Sequence, residues 1–447
     1  MLSREEAFSI NIQNLKRVHF IGIISAFDSF CAEYLLEKGI KVTASEINQD
    51  NKEAQDWIKR GVLYPGGHDA KYITNDVDLV IFPNGPIPGN PECEETERKG
   101  IPAITVGQML GLISKQFKVI AIAGTHGKTT TSALIVWLLY KQYGIKPNFV
   151  IGDKILEWNQ SWNYNKDSEY LVIEACEYKK QFLDRAPSPY IAVVTNVDLD
   201  HTDFYHSQQE YNSAFSEFIS NAQNVVIDLP GENIKDVMDG STKKFNVINV
   251  KDIREQYVNI KSPLIGEYNR ENVFRACGVA NILNIVPSLG DFPGVESRFE
   301  YKGNTEYGMR VFLDYAHNPQ KIKSCLQGAK EAYPNKKIIF VWEPHSYERT
   351  NTFKAQFADS IILADIVMIP NIFAPVREQE QYKNIISAES FVSYLKEKHP
   401  EKEILYTQDF KNTASLLLND DYNGGYIAIL ASAGNLKDIV PMLNLTK

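Results

Sequence analysis

The sequence predicts an α/β protein of doubly wound type built from about three compact units, and three observations carry that expectation. Apolar, β-branched runs recur along the 447 residues, and most end in glycine or a polar residue. Helix-like stretches separate them, as crossovers between parallel strands require. One run, FKVIAIAG (117–124), feeds a loop of glycines, a lysine and threonines that opens a long apolar helical segment, giving AIAGTHGKTTT over 121–131.

Taken in order, RVHFIGI (17–23), the helix-like SFCAEYLLEKG and IKVTASE read as strand, helix, strand, with Glu46 closing the second strand. DLVIFP (78–83), the turn-rich NGPIPGNPE (84–92) and KGIPAIT (99–105) complete a small Rossmann-type unit over residues 1–115. A second unit, 116–290, starts at the buried-type strand before the loop and continues through EYLVIEACE (169–177), YIAVVTNVDLDH (190–201) and NVVIDL (224–229). GEYNRENVFRACGVANIL (266–283) reads as a helix entered through an Asn-rich turn. The third unit, 291–447, carries SRFEYKG, RVFLDYAHNP (310–319), KKIIFVWEPH (336–345), ADIVMIPNIF (364–373) and YIAILASAGN (426–435).

Composition narrows the function. A hydrophobic fraction of 44% and a charged fraction of 23% are those of a globular domain, and no apolar run approaches a membrane span. The opening MLSREEAFSI lacks a basic start and an apolar block, so a cytoplasmic location is expected. Five scattered cysteines without a CxxC pair predict reduced thiols rather than a disulfide or zinc framework. A net charge of -9 argues against a nucleic-acid partner but leaves room for a nucleotide site.

Small residues between a buried strand and a helix let successive N–H groups face one anion. Gly124 and Gly127 permit close backbone approach, Lys128 suits the terminal phosphates, and the Thr129 hydroxyl suits Mg²⁺. The loop departs from GxxxxGK[ST], since Ile122 stands where that pattern has its first glycine.

GTHGKTTT, EACE, TNVDLDH, GEYNREN, DYAHNP, EPHSYERT and AGN together resemble the Mur ligases, in the branch that extends UDP-N-acetylmuramic acid. That branch includes alanine-adding members and recycling members that attach a whole murein peptide. The resemblance implies three domains: a UDP-sugar-binding Rossmann-like domain, a central P-loop ATPase and a C-terminal Rossmann-like domain for the incoming amino acid. It implies an ATP- and Mg²⁺-dependent ligase of peptidoglycan synthesis, acting as a monomer or weak dimer. Carried over to this chain, the nucleotide loop is Gly124, Thr125, His126, Gly127, Lys128, Thr129 and Thr130, with Asn269 and Asn272 at the adenine. Arg298 and Asp314 would address ATP from the third domain, although by spacing alone Arg298 reads as a solvated charge. Glu174 and His201 would join Thr129 at the metal, while Tyr315, His345 and Arg349 would address the amino acid and Gly22 the sugar nucleotide.

The chain departs from the alanine-adding pattern in places. After Gly22 the expected glycine-rich turn reads IISAFD, placing Asp28 where a diphosphate would approach. Phe27, Tyr178 and the WEP-x-S order resemble the recycling members, whereas Asp198, Asp200 and RFE resemble the alanine-adding ones. Both activities, and a degenerate member with an altered substrate, remain open at this point.

Overall fold

The structure is a computed structural model and describes residues 1–229, 231, 233–374 and 385–447. Three sheets organise it. The first is fully parallel: β1 (Arg17–Ile21), β2 (Lys41–Ser45), β3 (Leu79–Phe82) and β4 (Ala103–Thr105) in the order β2-β1-β3-β4. Every residue of β1 is buried, as expected for a strand covered on both faces. The strand order reverses beside β1, which opens a crevice at the carboxyl ends of β1 and β3.

The second sheet contains β5 (Lys118–Ala123), β6 (Asn148–Ile155), β7 (Gln160–Asn163), β8 (Tyr170–Glu174), β9 (Ile191–Val194), β10 (Asn224–Ile227) and β11 (Asn246–Asn249). Their order is β11-β10-β9-β5-β8-β6-β7, parallel except where β7 returns against β6. The strand expected at 117–124 is therefore central, with β8 and β9 as its neighbours.

These two sheets belong to one compact unit, Met1–Ser262 with Asn272–Pro293. The reason is a shared core: the helix Val106–Ser114 is buried along its whole length and packs on the short helix Gln181–Arg185. Their approach is so close that a Cβ on Gly111 would lie 2.0 Å from the Asp184 carbonyl oxygen and 2.8 Å from Phe8 Cε1. A capping box between Thr105 and Gln108 fixes where the helix starts.

The other unit, Pro263–Glu271 with Gly294–Lys447, has a six-stranded sheet. It comprises β12 (Glu300–Asn304), β13 (Arg310–Asp314), β14 (Lys337–Trp342), β15 (Ile366–Ile369), β16 (Glu403–Tyr406) and β17 (Tyr426–Ala431), ordered β12-β13-β17-β14-β15-β16. Only β12, the SRFEYKG strand, is antiparallel, pairing with β13 at the edge. All five cysteines are free, and only Cys176 is not fully buried. No helix among the described residues is long and apolar enough to cross a membrane.

Gly111→Ala should lower unfolding free energy by about 2 kcal/mol, the cost of overpacking a fixed helix contact. Thermal unfolding checks this, and Gly39→Ala is not the control to use, because its positive φ of 76° adds backbone strain of its own.

Candidate active site

The phosphate loop takes its shape from the segment that follows β9. Gly124 has φ +134°, and a Cβ there would fall 2.0 Å from Thr195 Oγ1 and 2.9 Å from the Asn196 carbonyl oxygen. Thr195 Oγ1 donates to the His126 carbonyl at 2.6 Å, and the His126 N–H donates to Asn196 Oδ1 at 2.9 Å. Thr125 turns its hydroxyl toward the same segment, donating to the Asp198 carbonyl at 2.6 Å. On the other side, Gly127 (φ +82°) sits where a Cβ would meet Asn272 Oδ1 at 2.4 Å, and that oxygen accepts from Thr131 Oγ1 at 3.2 Å. Gly127 begins the helix Lys128–Tyr143 with no side-chain cap. The loop thus presents backbone at a helix N-terminus, the geometry that favours an anion. Thr130 is buried one turn inside that helix.

Lys128 is held by the loop and by a carboxylate. Its Nζ donates to the Gly124 carbonyl at 2.5 Å and pairs with Glu177 Oε2 at 3.0 Å. Glu177 is buried, accepts His201 Nε2 at 3.3 Å, and receives the Tyr205 hydroxyl on its main-chain oxygen at 2.6 Å. Burial alone would push the Glu177 carboxyl up, but the Lys128 charge and the His201 bond outweigh it and hold it below its ordinary value. Burial likewise pulls Lys128 down, and Glu177 with Glu174 more than reverses this. His201 adopts φ +54°, with the Tyr178 ring 4.7 Å from its own.

Thr129 and Glu174 converge on Gly152, near the start of the β6–β7 hairpin. A Cβ on Gly152 would lie 2.8 and 3.1 Å from the Glu174 oxygens and 3.0 Å from Thr129 Oγ1, and the Gly152 N–H donates to Glu174 Oε2 at 2.7 Å. A hydroxyl and a carboxylate around a side-chain-free position are oxygen donors suited to a hard divalent cation. No group of three His, Cys, Asp or Glu arranged for a metal occurs among the described residues. The structure brings Thr129 and Glu174 together, and places His201 against Glu177.

The remaining expected residues fall in three places. Gly22 (φ +91°) follows β1, with Glu46 Oε2 3.8 Å and Pro83 Cγ 3.7 Å from where its Cβ would be. Asn269 donates through Nδ2 to the Ile265 carbonyl at 2.8 Å, inside the second compact unit, whereas Asn272 belongs to the first. In that second unit Arg298 lies 4.7 Å over the Tyr315 ring, flanked by Ser297 and Phe299, both at positive φ. Asp314 is buried and accepts the Phe299 and Ala316 N–H groups, each at 2.8 Å; burial raises its carboxyl and Arg298 opposes the rise. His345 stacks on Phe373 with ring centres 5.1 Å apart, and Arg349 lies in the short helix that Ser346 caps. The Glu343 carboxylate binds Ser432 and the Asn435 and Leu436 N–H groups, joining the EPHS and AGN loops. His317 is held neutral by burial and by Lys321, Arg349 and Arg298, which together push it far below its ordinary value.

Sequence reasoning missed Gly152, Glu177, Thr195, Asn196 and His317. Glu177 stood inside the EACE motif, and Thr195 and Asn196 inside TNVDLDH, so their motifs were visible but their partners were not. Gly152 carries no signal, since the stretch NFVIGDKI breaks its apolar run at Gly152 and Asp153.

Known proteins resemble this chain along its length. Residues 17–118 match the Mur ligase family, catalytic domain; residues 122–280 match the Mur ligase middle domain; and residues 297–434 match the Mur ligase, glutamate ligase domain. A UDP-N-acetylmuramate–L-alanine ligase of Caldanaerobacter subterraneus subsp. tengcongensis is 31% identical, covering 96% of this chain and 97% of that protein. A ligase of the same name from Alkaliphilus metalliredigens is 30% identical over 98% of this chain and 99% of its own. Among solved structures, the UDP-N-acetylmuramate–alanine ligase of Thermotoga maritima superposes with a TM-score of 0.74 at 23% identity, covering 96% of this chain and 98% of that one. The murein peptide ligase of Psychrobacter arcticus superposes with a TM-score of 0.64 at 19% identity, covering 97% of this chain and 100% of that one. With the three domain matches in order and full-length relatives at this identity, the chain belongs to the Mur ligase family.

Proposed function

We propose that this protein is an ATP-dependent amide ligase that joins L-alanine to the carboxylate of UDP-N-acetylmuramate, for peptidoglycan precursor synthesis. The observation that carries the reading is the Lys128–Glu177–His201 cluster beside the Thr129–Glu174 pair, at the end of a phosphate loop in a chain whose full-length relatives are named for this reaction. Residues 1–115 are assigned to the donor, 116–290 to ATP and 291–447 to the amino acid.

A carboxylate resists attack by an amine because its charge repels the nucleophile and oxide is a poor leaving group. Transfer of the γ-phosphoryl group of ATP to the donor carboxylate releases ADP and forms an acyl phosphate. The amine attacks that carbonyl, a tetrahedral intermediate forms, and phosphate leaves with the amide in place. The protein contributes position and charge. Lys128 exchanges Glu177 for phosphate oxygens, and the loop N–H groups bind the remainder. Thr129 and Glu174 would hold Mg²⁺, which supplies charge neutralisation to the phosphates. His201 completes the polar wall at Glu177. In the second unit, the neutral His317 among Arg298, Lys321 and Arg349 makes a cationic face that suits an amino-acid carboxylate and leaves an imidazole unprotonated.

A second reading, the recycling ligase that attaches a murein peptide, is supported by Tyr178, which packs on His201 and bonds Asp203 at 2.8 Å in a motif position that resembles recycling members.

Phosphate release from ATP and Mg²⁺ with UDP-N-acetylmuramate should require L-alanine; stimulation only by the cell-wall tripeptide would establish the second reading. Lys128→Ala should lower kcat by at least about 100-fold, the scale of removing one charge-stabilising group, with the far-ultraviolet circular dichroism retained; sustained synthesis would contradict its role. Glu177→Gln should be less heat-stable than the parent at pH 7. Because the folded Glu177 carboxyl is held below its ordinary value, its contribution is present above the unfolded value and is lost as pH falls through the folded one. The gap in Tm should therefore close below about pH 4, and a gap independent of pH would refute the pairing.

A further inference from the structure

The segment from Glu177 to Arg185 bridges the two sheets of the first compact unit. At its start Glu177 pairs with Lys128 of the phosphate loop, and its main-chain oxygen accepts the Tyr205 hydroxyl at 2.6 Å and the Lys180 N–H at 2.9 Å. Further on, Gln181 uses both ends of its amide. Its Nε2 donates to Asn84 Oδ1 at 2.9 Å, while its Oε1 accepts a terminal nitrogen of Arg185, whose guanidinium lies 3.9 Å over the Phe27 ring. Between the two anchors Lys179 and Lys180 have φ +51° and +55°. Successive side-chain-bearing residues hold the left-handed conformation only where neighbouring contacts over-determine it, and Glu177 and Gln181 supply those contacts on either side. The turn is a short, stiff spacer. Its far end reaches the sugar-nucleotide side: Asn84 opens the loop after β3, at the crevice where the strand order reverses. Pro83, just before it, has Cγ 3.7 Å from where a Gly22 Cβ would be, so the loops after β1 and β3 flank one another there. Residues 86–89 are exposed, and Asn90 caps the helix Pro91–Lys99 that follows. The Asn84–Gln181 bond therefore ties the root of an exposed crevice loop to the segment that carries Glu177.

We propose that Gln181 is a positioning residue for the ligation: through Asn84 it sets how far the donor crevice stands from the phosphate loop, and so where the donor carboxylate meets the γ-phosphate. The proposal rests on the donor reading above. In the first chemical step a carboxylate oxygen bonds to the γ-phosphorus as the bond from that phosphorus to the ADP oxygen breaks, and the entering and leaving oxygens must lie in line. Gln181 touches neither of them. A misplacement of about 1 Å costs on the order of 100-fold in rate, whereas nucleotide binding at the loop and donor binding in the crevice each survive a change in the distance between them. An exposed amide–amide bond also adds little to the stability of the whole fold, so loss of this one separates rate from stability.

The test uses the full-length protein with ATP, Mg²⁺, UDP-N-acetylmuramate and L-alanine, followed by steady-state turnover and by ADP formed in a single turnover. Gln181→Ala should lower kcat and the single-turnover rate by about 10- to 100-fold. The KM values for ATP and for the sugar nucleotide should stay within about threefold of the parent's. Asn84→Ala should show the same loss, and the double variant no more than either, because one bond is removed only once. Gln181→Glu should keep the parent rate, since Asn84 can turn its amide to donate through Nδ2 while Arg185 still finds an acceptor. A Gln181→Ala rate equal to the parent's, losses that multiply in the double variant, a defect confined to the donor KM, or a Gln181→Glu as slow as Gln181→Ala would each overturn this proposal and leave the donor reading standing. A parent whose turnover ignores UDP-N-acetylmuramate would overturn both. If Gln181→Ala misfolds, Asn84→Ala, at an exposed position, decides the question.

Discussion

The missing side chain of Gly124 is the constraint on which the active-site geometry depends. At φ +134° and 2.0 Å from Thr195 Oγ1, that position accepts no Cβ. The vacancy lets the TNVD segment after β9 reach the loop after β5 and grip it through Thr195, Asn196 and Asp198. Because β5 and β9 are neighbouring parallel strands, the grip lies at their carboxyl ends, and the helix from Lys128 inherits its direction from it. Asn272 closes the other side of the loop by occupying the space that a side chain on Gly127 would need. A phosphate seat made of backbone has little shape of its own, so its shape is borrowed from these contacts.

Charge is arranged on the same principle of mutual dependence. A lysine buried beside a phosphate loop would lose its proton without a counter-charge, and a buried glutamate would gain one. Lys128 and Glu177 each prevent the other's neutralisation, and Glu174 adds to the field that keeps Lys128 charged. The site therefore keeps a charged lysine, with Glu177 as its counter-charge. Glu174 instead faces Thr129 across Gly152.

In the second compact unit, backbone conformations of higher energy mark the functional loops. Ser297, Phe299 and Ser346 all have positive φ, an arrangement that side-chain-bearing residues adopt when surrounding contacts over-determine it. Asp314 provides such contacts to the first pair by accepting the Phe299 N–H, and the Phe373 carbonyl does so for Ser346 at 2.7 Å. Glu343 then draws the glycine-containing loop after β17 to the end of β14. Arg298, Tyr315 and His317 project from this frame.

Residues near one another in the chain settled much of this protein. Continuous apolar runs disclosed β1, β5, β8, β9, β13, β14 and β17, because a strand buried on both faces has little choice but to be apolar along its length. The glycine, lysine and threonine spacing disclosed the phosphate loop, since backbone conformation there is a local matter. Three edge strands escaped notice: β7 is the half-buried QSWN, β11 the largely exposed NVIN, and β16 only four residues long, so none carries a clear apolar pattern. Tertiary structure alone decided that Glu177 faces Lys128, that Gly152 lies between Thr129 and Glu174, and that Arg185 reaches Phe27. Those pairings join residues 22 to 158 positions apart, and no short-range periodicity encodes which distant side chains a sheet's carboxyl edge will bring together.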